Sequence, residues 1–282
     1  MAASNYDGAI DLSGPLNDSK TVLYRLNFAA QTTESFLDFY DEQKYFVAPT
    51  LSWQIGDRTK LTLQAEYLNR PKKFGQGALP AEGTVLPNPN GKIPSNRNTA
   101  EPDNTDSYST IFIAYDLEHR FSENWQLRNA FGATFNQNDR DFSRVTSLAE
   151  DKRTLTREYD SGIEYNESFN LDTYVVGKFA TGSIRHQLVT GFNLTRQNNV
   201  SNRTFREAAS IDLFKPVYGQ FFDATSRYGA VTGAFDSTST TDALGVYIQD
   251  QVTLANNLKL LVCGRFDLVE LTIAGMVCSL DS

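Results

Sequence analysis

The chain has 282 residues and a formal charge of −8, from 26 Lys and Arg against 34 Asp and Glu. That acidic balance excludes a general nucleic-acid binder, which needs a basic stripe. With 2 Cys and 2 His there is no disulfide framework and no histidine-rich metal centre, and 40% hydrophobic content excludes wholesale disorder.

From Lys20 to Gln31 the sequence alternates. Val22, Tyr24, Leu26, Phe28 and Ala30 fall on one face of a strand, and Arg25, Asn27, Ala29 and Gln31 on the other. Tyr45 to Ile55 repeats the pattern with Tyr45, Val47, Pro49, Leu51, Trp53 and Ile55 on one face. Leu61, Leu63, Ala65 and Tyr67 oppose Thr62, Gln64 and Glu66. Ile111, Ile113, Tyr115 and Leu117 follow, then Leu127, Phe131, Ala133 and Phe135. Later come Leu188, Phe192 and Leu194; Leu244, Val246, Ile248, Val252 and Leu254; and Leu258, Leu260, Val262 and Phe266. No segment carries a helical period. The strands run to roughly a dozen residues, longer than globular strands and long enough to cross a bilayer when tilted.

Tight, turn-rich connections occupy residues 14–19, 56–59, 122–124, 180–183 and 255–257. Long polar stretches lie between them, at Arg70–Asp106 and from about Asn198 to Thr240. Short turns at one end and long loops at the other are the pattern of outer-membrane barrels, with short periplasmic turns and long extracellular loops. The mean hydropathy of −0.40 fits, because such a barrel spreads its apolar residues over alternate positions. The expected fold is therefore all-β: an antiparallel, up-and-down transmembrane β-barrel, partial, with about ten strands. Met1 to Asp7 has neither a basic start nor an apolar core, and reads as no secretory signal peptide.

Catalytic signatures are lacking. Gly75-Gln76-Gly77 has no strand-to-helix context or Lys for a phosphate loop. His119 and His186 stand in separate strands, there is no G-x-S-x-G, and no carboxylate pair is singled out by spacing. No catalytic residue, metal site or cofactor is expected, and Cys263 and Cys278 are expected as free thiols. The aromatics Phe36, Phe39, Tyr40, Phe74, Phe142, Phe205, Phe214 and Tyr218 read either as loop packing and interfacial girdle or as a ligand surface.

Several segments together resemble the TonB-dependent siderophore receptors, most nearly the ferrichrome-type hydroxamate branch. They are Asp11-Leu12-Ser13-Gly14-Pro15-Leu16-Asn17 with Tyr24-Arg25-Leu26, Pro49-Thr50-Leu51-Ser52-Trp53, and Thr59-Lys60-Leu61-Thr62-Leu63. Leu79 to Pro87, Tyr115 to Phe121, Lys178 to Gly182 and His186 to Gly191 follow in the family's order. The strongest is Gly245-Val246-Tyr247-Ile248-Gln249-Asp250-Gln251, ending at Gly264-Arg265-Phe266-Asp267.

The resemblance implies a barrel of about 22 strands around a plug. It implies a transporter rather than an enzyme, with a ferric siderophore bound at the extracellular loops, outer-membrane lipid around it and TonB as energising partner. Phe74, Phe142 and Phe205 are the ligand-contact candidates it suggests by position. Where ferrichrome-type members carry aromatics, this chain has Gln76, Gly77 and Ala78, and Cys263 stands where the family has Gly.

The resemblance reaches a partial barrel over residues 6–270, without signal peptide, TonB box, plug or the C-terminal strands. Residues 271–282 lose the alternation and are expected to form a disordered, unrelated tail. The expectation is thus an internal fragment or truncated gene product, not transport-competent alone. Two other readings remain at this point: a soluble all-β binding or structural domain, and a passive porin-like barrel.

Overall fold

The computed structural model describes residues 4–73 and 78–279. They form ten strands: β1 (Ser4–Pro15), β2 (Val22–Glu34), β3 (Asp41–Ile55), β4 (Thr59–Lys73), β5 (Thr105–Arg120), β6 (Trp125–Leu148), β7 (Thr154–Thr181), β8 (Ile184–Asp212), β9 (Val231–Ala255) and β10 (Leu258–Ser279). Each pairs antiparallel with its sequence neighbours in one sheet, ordered β1 to β10. Among the described residues the sheet is not closed, so β1 and β10 are its edges. The up-and-down partial barrel expected from the alternation is the fold observed.

Register explains the alternation. One row of cross-strand partners runs Tyr24, Leu51, Leu63, Tyr115, Phe131, Leu171, Leu194, Leu244 and Leu268 through nine strands. One residue along each strand, the row reads Arg25, Thr50, Gln64, Ala114, Gly132, Asn170, Thr195, Ala243 and Val269. Side chains alternate across a pleated strand, so the first row lies on a continuous apolar band and the second on the opposite, largely polar face. Most of the band's large side chains stand exposed, among them Leu26, Phe28, Ile111, Ile113, Phe192, Val246 and Phe266. An exposed apolar band of this breadth is costly in water and favourable against hydrocarbon.

The short turns lie together at one end, where Gly56 (φ 65°) and Gly182 (φ 63°) take the left-handed conformation that tight turns demand. At the other end the sequence expectation needs correction. The expected long connection from about Asn198 to Thr240 is mostly strand, since β8 runs to Asp212 and β9 begins at Val231; residues 136–166, which also lack apolar alternation, are strand in β6 and β7 on either side of a turn at 149–153. Ladder hydrogen bonding is a backbone property, and a ribbon with water on both faces has no reason to alternate. β10 continues through Ser279, paired with Gly233 of β9, and residues 280–282 lie outside the described residues. Among the described residues only 78–104 and 213–230 remain as long connections between strands.

The main buried core is at this loop end. Ile93 from the β4–β5 connection packs with Leu155, Ile211 and Leu213, flanked by Leu79, Val145, Leu148, Phe214 and Tyr218. The β4–β5 connection ties the other connections together. Asn96 Nδ2 donates to Asp38 Oδ1 at 2.7 Å, Asn88 Nδ2 to the Lys152 carbonyl at 2.7 Å, and Arg97 Nε to the Leu213 carbonyl at 2.8 Å. Beneath it lies a buried ion pair, Arg157 to Glu101 at 2.7 Å, both side chains 1% exposed. Arg157 also donates to the carbonyls of Ala209 (2.8 Å) and Thr99 (3.0 Å), and Glu101 accepts from Gly219 N (2.6 Å). The pair is therefore hydrogen-bonded on both sides, as a buried charge requires.

Candidate ligand surface at the loop end

The polar face of β6, β7 and β8 carries the candidate site beyond the apolar band. Register places Phe142 opposite Asp160, and Asp160 opposite Phe205, so the three form one row across three strands. Counting in twos from Gly132 reaches Phe142 without a bulge, which puts the row on the polar face. Two of the three sequence-suggested residues are thus brought together. Phe74 lies outside the described residues.

Charged pairs frame the row. Arg203 Nε donates to Asp160 Oδ1 at 3.0 Å, Arg144 Nε to Glu158 Oε1 at 2.6 Å, and an Arg140 amine to Glu164 Oε2 at 2.8 Å. The Asp160 side chain is 1% exposed, whereas that of Arg144 is 47% exposed. The Phe205 ring sits between the two guanidiniums, 4.8 Å from Arg144 and 5.1 Å from Arg203. Cation–π contact on this scale orients the ring and keeps both cations over it. Phe142, half-buried and without such a partner in the described contacts, is the freer ring of the two.

The arrangement has no nucleophile next to a base. Among the described residues no group of three His, Cys, Asp or Glu is placed to hold a metal ion. It offers two aromatic rings, exposed guanidinium edge and carboxylate acceptors: the means to bind a ligand with planar and charged parts.

Sequence reasoning missed Arg144, Asp160 and Arg203. Their signal was the unbroken register beyond Phe135, which is legible only once β7 is recognised as a strand. Most other aromatics singled out from the sequence serve packing. Phe39 meets Tyr218 edge-to-face at 4.9 Å, and Phe214 lies under Arg153 at 5.6 Å. Tyr218 also donates to the Asn98 carbonyl at 2.8 Å, and burial pushes its phenol above its usual pKa. At the outer edge Arg227 bridges Asp103 and Tyr159, and its hydrogen bonds hold the Asp103 carboxyl below the usual carboxylate range.

Comparison with known proteins bears on this geometry. The family described as TonB dependent receptor-like, beta-barrel matches residues 52–275. The metal-pseudopaline receptor CntO of Pseudomonas aeruginosa is 33% identical over 271 residues, covering 93% of this chain and 36% of that protein. The ferrichrome outer membrane transporter/phage receptor of Escherichia coli is 29% identical, covering 94% of this chain and 38% of that protein. Among solved structures, the closed form of the ferric-catecholate import receptor Fiu from E. coli superposes with a TM-score of 0.81 at 19% identity, over 97% of this chain and 40% of that one. The chain therefore spans two fifths or less of the length of these proteins. The family match and the register-continuous apolar band lead to one statement: this chain belongs to the TonB-dependent receptors, and its ten strands are part of their outer-membrane β-barrel.

Proposed function

We propose that the chain forms part of an outer-membrane active transporter for a ferric siderophore, with TonB as energy-coupling partner of the assembled receptor. The observation that carries this reading is the row Phe142–Asp160–Phe205. It sets two rings and paired arginines on the polar face at the loop end, where a ligand arriving from outside meets the barrel. The role is transport rather than catalysis. A siderophore is cargo here, and no resident cofactor is invoked.

The chain's ten strands do not carry transport by themselves. Among the described residues both sheet edges lack partners, and unpaired backbone groups are not tolerated in hydrocarbon. Transport needs further strands to close the barrel. The soluble-domain reading has no use for the exposed apolar band, and a passive pore has no use for the family to which the chain belongs.

The test is uptake of 55Fe-siderophores in a receptor-deficient, iron-starved strain. The chain is expressed once alone and once within a barrel completed by the remaining strands of a TonB-dependent receptor. The panel comprises ferrichrome, ferrioxamine B, ferripyoverdine and metal-pseudopaline. Uptake of at least one member by the completed barrel, its loss without TonB, and its weakening by Phe142→Ala are expected. Uptake by the chain alone, or uptake independent of TonB, contradicts the proposal.

A further inference from the structure

Asn90-Gly91 is the single Asn-Gly step in the sequence. It lies in an exposed turn of the β4–β5 connection, where Gly91 takes a left-handed φ of 100° and its N–H donates to the Asn88 carbonyl at 3.0 Å. The step matters chemically because an asparagine carries an electrophilic carbon, Cγ, within reach of the next backbone nitrogen. Most residues shield that nitrogen with a Cβ and stiffen the backbone around it, and glycine does neither. Gly91 is also uncrowded, since a Cβ added there would meet no atom within 4 Å. Asn88, two residues earlier, is followed by Pro89, whose nitrogen carries no hydrogen and cannot serve.

Asn90 also holds two connections together. Its Nδ2 donates to the Asp151 carbonyl at 2.8 Å and to Asn88 Oδ1 at 3.1 Å. Asn88 Nδ2 in turn donates to the Lys152 carbonyl at 2.7 Å. Two side-chain amides thus bind consecutive carbonyls of the 149–153 turn, at the tip of the β6–β7 hairpin. Both side-chain bonds of Asn90 need an N–H donor. A carboxylate at that position has none, and sets its charge against two acceptor oxygens.

We propose that Asn90 is a site of spontaneous deamidation, and that the reaction releases the 149–153 turn from the β4–β5 connection. The Gly91 nitrogen gives up its hydrogen and bonds to Asn90 Cγ, the Cγ–Nδ2 bond breaks, and Nδ2 leaves as ammonia. Solvent water then opens the five-membered imide, at Cγ to leave aspartate or at the Asn90 backbone carbonyl carbon to leave isoaspartate. One water is consumed and one ammonia released, with no change of oxidation state. The Gly91 N–H is engaged in the native turn, so attack follows local opening and is slower than in a short peptide of the same sequence. The change is irreversible, and the clamp therefore loosens with the age of the molecule. Nothing in it depends on the siderophore reading.

The test incubates the full chain in neutral detergent, in mildly alkaline and in neutral buffer, with Asn90→Gln alongside. Glutamine has one more methylene and does not close the five-membered ring. The tryptic peptide 74–92 carries both Asn88 and Asn90, and its fragment masses tell conversion at one from conversion at the other. Native-state hydrogen exchange then compares the fresh chain, the aged chain and Asn90→Asp at the Lys152 amide, which is bonded to the Ala149 carbonyl, with Phe131 as reference. The expected result is conversion at Asn90 ahead of every other asparagine, partly to isoaspartate, faster at the higher pH and absent at residue 90 in Asn90→Gln. Exchange at Lys152 rises about fivefold or more in the aged chain and in Asn90→Asp, with Phe131 unchanged. The proposal is overturned if Asn90 keeps its amide while other asparagines convert, or if no asparagine converts in the folded chain. It is also overturned if Asn90→Asp exchanges at Lys152 as the fresh chain does.

Discussion

Replacing Arg157 by Met strands the carboxylate of Glu101. The native guanidinium gives Glu101 a hydrogen bond of 2.7 Å and holds the carbonyls of Thr99 and Ala209. After Arg157→Met, Glu101 keeps the Gly219 N–H at 2.6 Å and loses the charge that compensates it in a site 1% exposed. Removing one partner of a buried pair costs about 3–5 kcal/mol, most of it the penalty of the charge left behind. At about 1.4 kcal/mol per factor of ten, local opening of the β4–β5 connection rises by roughly two to nearly four powers of ten. The double variant Arg157→Met/Glu101→Leu removes both charges and regains at least about 1 kcal/mol of the loss. Native-state hydrogen exchange on the chain in detergent measures this directly. The amides to follow are Ile93, bonded to the Gly83 carbonyl, Leu213, bonded to the Arg153 carbonyl, and Gly219. Phe131 and Val246, in the apolar band, serve as unaffected references. A rise of less than about tenfold at the three amides, or a double variant no better than the single one, refutes the reasoning.

Further outcomes follow from the faces and turns. Ile113→Lys places a cation on the apolar band and costs about 2–4 kcal/mol in urea titrations of the lipid-inserted protein, while Gln64→Lys on the polar face is nearly neutral; equal costs contradict the facial assignment. At Gly191 an added Cβ meets the Thr173 carbonyl oxygen at 2.3 Å and Tyr174 Cβ at 2.6 Å. Gly191→Ala thus costs about 1–3 kcal/mol by the same titration, and a neutral result speaks against the close β7–β8 approach. The Asp151 carboxyl is held below its usual range by hydrogen bonds from the Thr154 amide and hydroxyl and the Arg153 amide. Its folded pKa is depressed, so its contribution to the 149–153 turn is complete above the ordinary carboxylate pKa and lost as pH falls through the lowered value. Protection of the Thr154 amide should drop on acidification below the ordinary carboxylate pKa, and Asp151→Asn should flatten that dependence. Phe205→Leu keeps bulk and removes the ring held between Arg144 and Arg203. Siderophore affinity of the completed barrel should fall about fivefold or more, and an unchanged affinity removes Phe205 from the site.

The parts legible in the sequence were those with one face in lipid. Tyr24, Leu51, Leu63, Tyr115 and Phe131 belong to segments whose alternation alone identifies strands, and the structure joins them in one row. The upper halves of β6 to β9 were not legible as strands. Asn136 to Asp141 is polar on both faces, as is Asn198 to Arg203 but for Val200, so the period-two signal vanishes although the ladder continues. That loss also hid the site. Phe142 and Phe205 were singled out, but their shared face depends on Asp160, in a strand the alternation did not reveal. The Glu101–Arg157 pair joins a loop to a strand 56 residues away and leaves no local pattern at all.

The central claim is that a ferric siderophore binds the polar face at the loop end. A fluorophore attached at Phe142→Cys, in a Cys263→Ser/Cys278→Ser background within the completed barrel, tests it most directly. A second fluorophore at Asp139→Cys, on the opposite face of β6, is the control. Bound iron quenches a nearby fluorophore, and the gallium complex of the same siderophore binds without that quenching. Saturable, iron-specific quenching at 142 and little at 139 are expected. Equal quenching at both positions, or quenching at 139 alone, contradicts it.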